Sequence, residues 1–305
     1  MPEIVIISGK GGTGKTSLTA AFAHMAMNAV VCDLDVDAPD LHLILQPAIK
    51  VREDFYSGHE ALIDPEACTQ CGLCAEMCRF GAVSNPPGRY RIDPLKCEGC
   101  KVCVQFCPAD AIQFPDRHCG EWFISDTRFG PLVHAQLFPG AENSGRLVAL
   151  LRQKARELAQ ASGRSLILSD GAPGIGCPVI SSLSGTDFAV LVTEPTPSGR
   201  HDLERVADLC RHFKIPTGVI VNKSDLNPEN TSDIRRWCHA TQTEFLAALP
   251  YDPAVTEAMV QRQSVTEYSA EELSGQIRRT WRRIWELGQQ KAASAKTVET
   301  NPSLS

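Results

Sequence analysis

Eight of the thirteen cysteines in the chain fall into two copies of one pattern, C-x2-C-x2-C-x3-C. The first copy is Cys68, Cys71, Cys74 and Cys78. The second is Cys97, Cys100, Cys103 and Cys107, each displaced by 29 residues. Three thiolates at this spacing wrap one corner of an iron–sulfur cubane, and the fourth is left to ligate a second cubane. The expected ligand sets are therefore crossed. Cys68, Cys71, Cys74 and Cys107 would hold one [4Fe–4S] cluster, and Cys97, Cys100, Cys103 and Cys78 the other. Two C-x2-C pairs could instead take Zn²⁺, but eight cysteines in duplicated order favour clusters.

A second constellation lies near the start. Residues 9 to 16, GKGGTGKT, satisfy G-x-x-x-x-G-K-[ST]. Gly9, Gly11, Gly12 and Gly14 let backbone N–H groups turn toward phosphates, Lys15 would reach the outer phosphates, and the Thr16 hydroxyl would bind Mg²⁺. Thr13 and Ser17 are further candidates for nucleotide contact. Asp33, Asp35 and Asp37 cluster at and beyond the end of an apolar run, and Asp170 ends another before a glycine-rich turn. An aspartate so placed holds the Mg²⁺ shell, often through water. Asn222, in VIVNKSD, is placed for its amide to read an adenine edge. Lys10 is a second lysine in a loop that needs only one.

These residues must be positioned by buried strands. Continuous apolar runs at 3–8, 30–33, 165–169, 187–193 and 215–221 alternate with helical patterns at 15–28, 145–161, 199–213 and 229–240. Such alternation argues an α/β, doubly wound, mostly parallel sheet. The rhythm stops between about 60 and 117. There the flanks repeat with the cysteines, IDPEAC answering IDPLKC and GAV answering DAI. The expectation is a nucleotide-binding domain over 1–59 and 118–288, with a small α+β two-cluster domain inserted at 60–117. Residues 289–305, small and polar, are expected to be a disordered tail.

The KGGTGKT loop resembles the deviant Walker A motif of the MinD/ParA family of P-loop ATPases, to which the nitrogenase iron protein also belongs. DLDVDAPDL, SDGAPGIG, TEPTPSGRHDLERV, VNKSD and LPYDPAVTEAM resemble other segments of that family. The resemblance implies ATP and Mg²⁺ as ligands, slow hydrolysis, and an ATP-bound dimer, either a homodimer or a heterodimer with a related ATPase. It also implies a role for Lys10, which would cross the dimer interface to the partner's nucleotide, similar in effect to an arginine finger. Asp35 matches the water-positioning aspartate of the family, with Asp37 as the alternative. The cysteine repeat is similar to bacterial two-cluster ferredoxins, except that Arg79 stands where the second run has Pro108. No C-x-x-C lies outside the insert, so the bridging cluster of the family's cluster carriers is not implied.

The formal net charge of −6 gives no basic footprint for general nucleic-acid binding. Two oxidised clusters with their thiolates would make the protein more acidic still, so a docking partner is expected to present basic residues. The start lacks a signal-peptide pattern and no apolar run would span a bilayer, so a cytoplasmic protein is expected. In that reducing setting, cysteines suggest metal rather than disulfides. Cys32, Cys119, Cys177, Cys210 and Cys238 have no ligand spacing and are expected to be buried. Around IRRTWRRIWEL, a helix carries Ile277, Trp281, Ile284 and Trp285 on one face. Packing on the ATPase core is favoured for that face over peripheral contact with an anionic membrane. Together these features imply ATP-gated electron transfer to an unidentified redox or metallocofactor partner. The alternatives are an iron–sulfur or metal-cofactor assembly or carrier ATPase, and a redox-sensing spatial organiser.

Overall fold

Strand β1 (Glu3–Ser8) is apolar along its whole length because both its faces are covered. Ile4 and Ile6 enter one hydrophobic core, while Val5 and Ile7 enter the other. The computed structural model describes residues 1–141, 143–269 and 271–299, with the backbone alone at 291 and 293–299. In chain order the next elements are α1 (Lys15–Met25), β2 (Ala29–Asp33), α2 (Leu41–Leu45) and β3 (Ala48–His59). Then come β4 (Leu62–Ile63), α3 (Leu73–Met77), β5 (Val83–Ser84), β6 (Arg91–Ile92), α4 (Val102–Gln105) and β7 (Ile112–Gln113). A ribbon of β8 (Asp116–Thr127) and β9 (Gly130–Leu137) follows. The chain continues through α5 (Ser144–Ala161), β10 (Leu166–Pro173), α6 (Cys177–Leu183), β11 (Phe188–Thr193), α7 (Pro197–His212) and β12 (Thr217–Asn222). It ends with α8 (Pro228–Ala240), β13 (Glu244–Leu249), α9 (Ala254–Val260), α10 (Val265–Tyr268) and α11 (Glu272–Glu299).

Nine strands form one sheet in the order β13-β12-β11-β1-β10-β2-β9-β8-β3. The pairs from β13 through β2 are parallel, and β9 also pairs parallel with β2. The order jumps from β2 to β10 and from β1 to β11, so crossover helices cover both faces. The C-terminal ends of β1, β2 and β10 meet where the loop before α1 begins, which is where such sheets bind ligands.

The chain divides into two compact units. The first comprises Met1–Glu53, Trp122–Gln136 and Ser144–Ser305, and the second Asp54–Glu121 and Leu137–Asn143. The second unit thus takes in more chain than the expected 60–117, because the end of β3 and the start of β8 belong to it. Inside it the sequence repeat becomes a structural one. Shifting β4, α3 and β5 by 29 residues reproduces the positions of β6, α4 and β7. Strand pairing crosses the copies, with β4 against β7 and β5 against β6.

Two expectations need correction. Residues 289–299 are not a disordered tail but continue α11, because QQKAASAKTVE is rich in Ala, Gln and Lys, which favour helix. Residues 300–305 lie outside the described residues. Cys177 is exposed rather than buried, because it begins α6 at the surface; Cys32, Cys119, Cys210 and Cys238 are buried. Along α11, Ile277 and Ile284 are buried and Trp281 stacks on Phe22 of α1 at 5.4 Å, so this face packs on the core. Among the described residues no helix is long and apolar enough to cross a membrane.

Candidate functional site

The loop between β1 and α1 is built by glycine. Gly12 and Gly14 have φ of +79° and +87°, the left-handed region that costs other residues free energy. A Cβ on Gly14 would lie 2.3 Å from Asn222 Nδ2, and one on Gly9 would meet the backbone of Asp202 at 2.7 Å. The loop therefore runs close against β12 and α7, and the N–H groups at the start of α1 open into a cleft of about 540 Å³. Gly11 through Ser17, Asp35, Asp37 and Asn222 line this cleft, joined by Tyr251, Asp252 and Met259.

Lys15 is buried at the base of the cleft. Its Nζ lies 3.1 Å from Asp170 Oδ1 and 3.5 Å from Asp35 Oδ2. Burial pulls the ammonium pKa down, but Asp170, Asp35 and Asp33 outweigh it and hold the group above the ordinary lysine value. Asp170 is fixed from the other side by Thr16 Oγ1, donating at 2.7 Å, and by Thr19 Oγ1 at 2.8 Å. Burial raises the pKa of the Asp35 carboxyl against the opposing pull of Lys15. Asp33 is raised well above the carboxylate range, by burial first and then by Asp170. Its oxygens accept from the N–H groups of Asp35 and Leu41, so Asp33 shapes the segment carrying Asp35 rather than facing the cleft. Thr13 Oγ1 is buried without a hydrogen-bond partner, the one such side-chain atom among the described residues. Donors and a cation around a cleft of this size fit a nucleotide phosphate chain.

Lys10 and Asn222 are engaged within the chain. Lys10 is not in the cleft lining. Its Nζ lies 3.4 Å from Glu194 Oε2 and 3.3 Å from Ser198 Oγ. Asn222 Nδ2 donates to the Thr13 carbonyl at 2.8 Å, so this amide braces the loop. Lys223 does likewise at the Gly12 carbonyl, at 3.2 Å, while pairing with Glu194. Glu194, Thr19 and Lys223 escape a reading of motifs. The strand order puts the end of β11 beside β1 and so brings Glu194 to Lys10, and no local pattern encodes that.

In the second unit the cysteines sort into two small cavities. One is lined by Cys68, Cys71, Cys74 and Cys107 together with Ile63, Leu73, Tyr90, Pro108 and Ile112. The other is lined by Cys78, Cys97, Cys100 and Cys103 together with Phe80, Val83, Ile92 and Val102. Each cavity thus takes three cysteines from one run and the fourth from the other, in an otherwise largely apolar wall. Burial pushes the Cys74 and Cys103 thiols up. Among the described residues no three Cys, His, Asp or Glu side chains converge on one point closely enough for a single metal ion. Gly99, at φ +60°, is required beside Cys100, because a Cβ there would lie 2.4 Å from the His59 carbonyl oxygen.

Residues 4–265 match the CobQ/CobB/MinD/ParA nucleotide binding domain. An uncharacterized protein of Methanocaldococcus jannaschii is 33% identical over 232 residues, which cover 75% of this chain and 80% of that one. A second uncharacterized protein of the same organism is 25% identical over 278 residues, covering 88% of this chain and 94% of its own. Among solved structures, the septum site-determining protein MinD of Pyrococcus horikoshii, complexed with Mg-ADP, shares the fold. It does so at a TM-score of 0.55 and 18% identity, over 92% of this chain and 93% of that one. The cell division ATPase MinD of Pyrococcus furiosus does so at 0.56 and 18%, over 94% and 99%.

Proposed function

The chain belongs to the CobQ/CobB/MinD/ParA nucleotide-binding family, and on that footing we propose that it is an ATP-driven dimeric switch coupled to two [4Fe–4S] clusters, serving ATP-gated electron transfer to a partner protein. The observation that carries the iron–sulfur half is the crossed lining of the two cavities, four cysteines to each. A tetrathiolate set in an apolar wall suits a cubane, which would supply reversible one-electron transfer. The kinship to MinD and ParA ATPases and the geometry around Lys15 carry the nucleotide half.

In this reading Lys15 and the α1 N-terminus bind the phosphates, and Thr16 and Asp170 hold Mg²⁺, Asp170 directly or through water. Asp35 orients the attacking water, with Asp37, exposed in the same cleft, as the alternative. Lys10 leaves Glu194 to reach the nucleotide of a second subunit. Bound nucleotide and Mg²⁺ would order the segments carrying Asp35 and Asp170, which would be released after hydrolysis. From Asp37 the chain runs through α2 into β3, which leads to the cysteine unit. A second reading, a cluster carrier or assembly ATPase, draws on the exposure of Cys71 and Cys100, one ligand at each site. Anaerobic isolation followed by iron and acid-labile sulfide analysis tests the central proposal. About eight irons per chain are expected, and zinc in place of iron after anaerobic reconstitution would refute it. Rapid one-electron cycling with retained iron separates electron transfer from cluster donation to an apo-acceptor.

A further inference from the structure

The two cysteine sites arise from one repeat, yet the residues beside their ligands differ in charge. No charged residue is adjacent in sequence to Cys68, Cys71, Cys74 or Cys107. Beside Cys78, Cys97 and Cys100 stand Arg79, Lys96 and Lys101, opposed by Glu98 alone. The 29-residue shift places Pro108, Ala67 and Gly72 at the positions of Arg79, Lys96 and Lys101. All three cations are exposed, and none has a carboxylate partner among the described residues.

Lys101 adds a second observation. It adopts φ +65°, in the left-handed region, where the repeat has Gly72 at φ +81°. A lysine there costs about 1 kcal/mol that glycine would not. Its ammonium is fixed 5.6 Å from the centre of the Phe114 ring. Phe80 is 48% exposed and lines the same cavity as Lys101. Arg79 and Lys96 adjoin in sequence two cysteines of that cavity, Glu98 also lines it, and exposed cations beside an exposed apolar residue have the composition of a docking face.

We propose that Arg79, Lys96 and Lys101, each beside a cysteine of the cavity that Phe80 lines, form the docking face for an acidic iron–sulfur electron carrier, making the site of Cys78, Cys97, Cys100 and Cys103 the electron entry. This rests on the cluster reading above. One electron passes from the reduced carrier, which is oxidised, to this site, which is reduced, and no proton moves. The acidic net charge of the whole chain calls for a basic partner, but the local charge at this face selects the opposite kind.

The test uses the full-length, anaerobically reconstituted protein and a fluorophore-labelled, oxidised, acidic two-[4Fe–4S] ferredoxin, with binding read by anisotropy. The variant Arg79→Glu, Lys96→Glu, Lys101→Gly should weaken binding by about tenfold or more at low salt. The difference should vanish near 1 M salt, where the screening length is about 3 Å. Lys101→Gly alone restores the residue of the other repeat, so a loss of binding there is not a folding defect. Iron content should be unchanged. Reversal of two exposed carboxylates of the first run, Glu66→Lys with Glu76→Lys, should leave binding within twofold. Equal binding by the cationic-face variants, or a loss confined to the Glu66 and Glu76 variant, overturns the proposal. Absence of iron in the unsubstituted protein would instead overturn the cluster reading beneath it, and the iron assay tells the two failures apart.

Discussion

Lys10 and Glu194 form an ion pair within one chain, Nζ to Oε2 at 3.4 Å, and Lys223 holds the other oxygen of that carboxylate at 2.5 Å. Burial works against the Glu194 charge, but Lys223 and Lys10 together hold its pKa below the ordinary glutamate value. A lysine meant for a second subunit must first leave this pair. Lys10→Ala is therefore expected to leave ATP binding by the monomer intact and to abolish ATP-dependent dimerisation and most turnover. Glu194→Gln should do the reverse, favouring the dimer at lower ATP, because a neutral amide restrains Lys10 less. Sedimentation with a non-hydrolysable analogue measures both, and unchanged dimerisation in both variants would reduce Lys10 to a loop lysine.

Lys15→Ala removes the one buried cation from a cluster containing Asp33, Asp35 and Asp170. Nucleotide binding is expected to fall by at least about 100-fold, in line with losing a charge-assisted contact of roughly 3 kcal/mol. The variant should also melt at lower temperature without nucleotide, because the buried carboxylates lose their counter-charge. Calorimetric titration and thermal melting check the two effects separately. ATP binding within a factor of ten of the parent would show that Lys15 does not touch phosphate.

The parts of the fold most legible in the sequence are those with one physical signal. Runs such as EIVIIS and FAVLVT are buried on both faces and read as parallel strands at once. Strand β13, EFLAAL, has an apolar run as long as theirs, but Leu and Ala favour helix over strand and the strand is half-buried at the sheet edge, so its composition does not mark it as a strand. The β8–β9 ribbon alternates only in part, with Glu121, Asp126 and Arg128 interspersed among apolar residues. The grouping of three cysteines from one run with one from the other in each cavity follows the duplicated spacing visible in the sequence. Asn222 ends β12, as the run VIVN indicates, but the hydrogen bond of its Nδ2 to Thr13 depends on how closely the loop packs against β12.

His134 gives the folded chain a pH dependence of definite sign. It is buried on β9, stacked on Phe123 and hydrogen-bonded to Ser125, and burial takes its pKa from 6.5 down to about 4, with His42 adding to the shift. Below pH 6.5 the unfolded chain takes up a proton that the folded chain refuses. Stability should therefore be fully present above about 6.5 and decline as the pH drops toward 4, by up to about 3 kcal/mol. His134→Gln, which keeps a hydrogen bond to Ser125, should flatten this acid limb. Denaturant midpoints across that range report it, and parallel curves for the two proteins would rule the titration out.

Cys78 makes the crossed ligation testable by a single substitution. Helix α3 ends at Met77, and Cys78 leaves it with extended backbone, φ −78° and ψ 104°. That turn carries the thiol away from Cys68, Cys71 and Cys74 and into the cavity of Cys97, Cys100 and Cys103. Cys78→Ala should therefore damage the site built by the second run and spare the site built by its own run. Cys107→Ala should do the converse. Each variant is expected to retain about four irons, or to convert one cluster to a three-iron form. The surviving cluster should differ between the two variants in its EPR spectrum when reduced. Pairing Cys78→Ala with Cys97→Ser should cost little more iron than Cys97→Ser alone, because both residues serve one site. If the double substitution instead strips both clusters, each run of four closes on its own cubane and the ligand sets are not crossed.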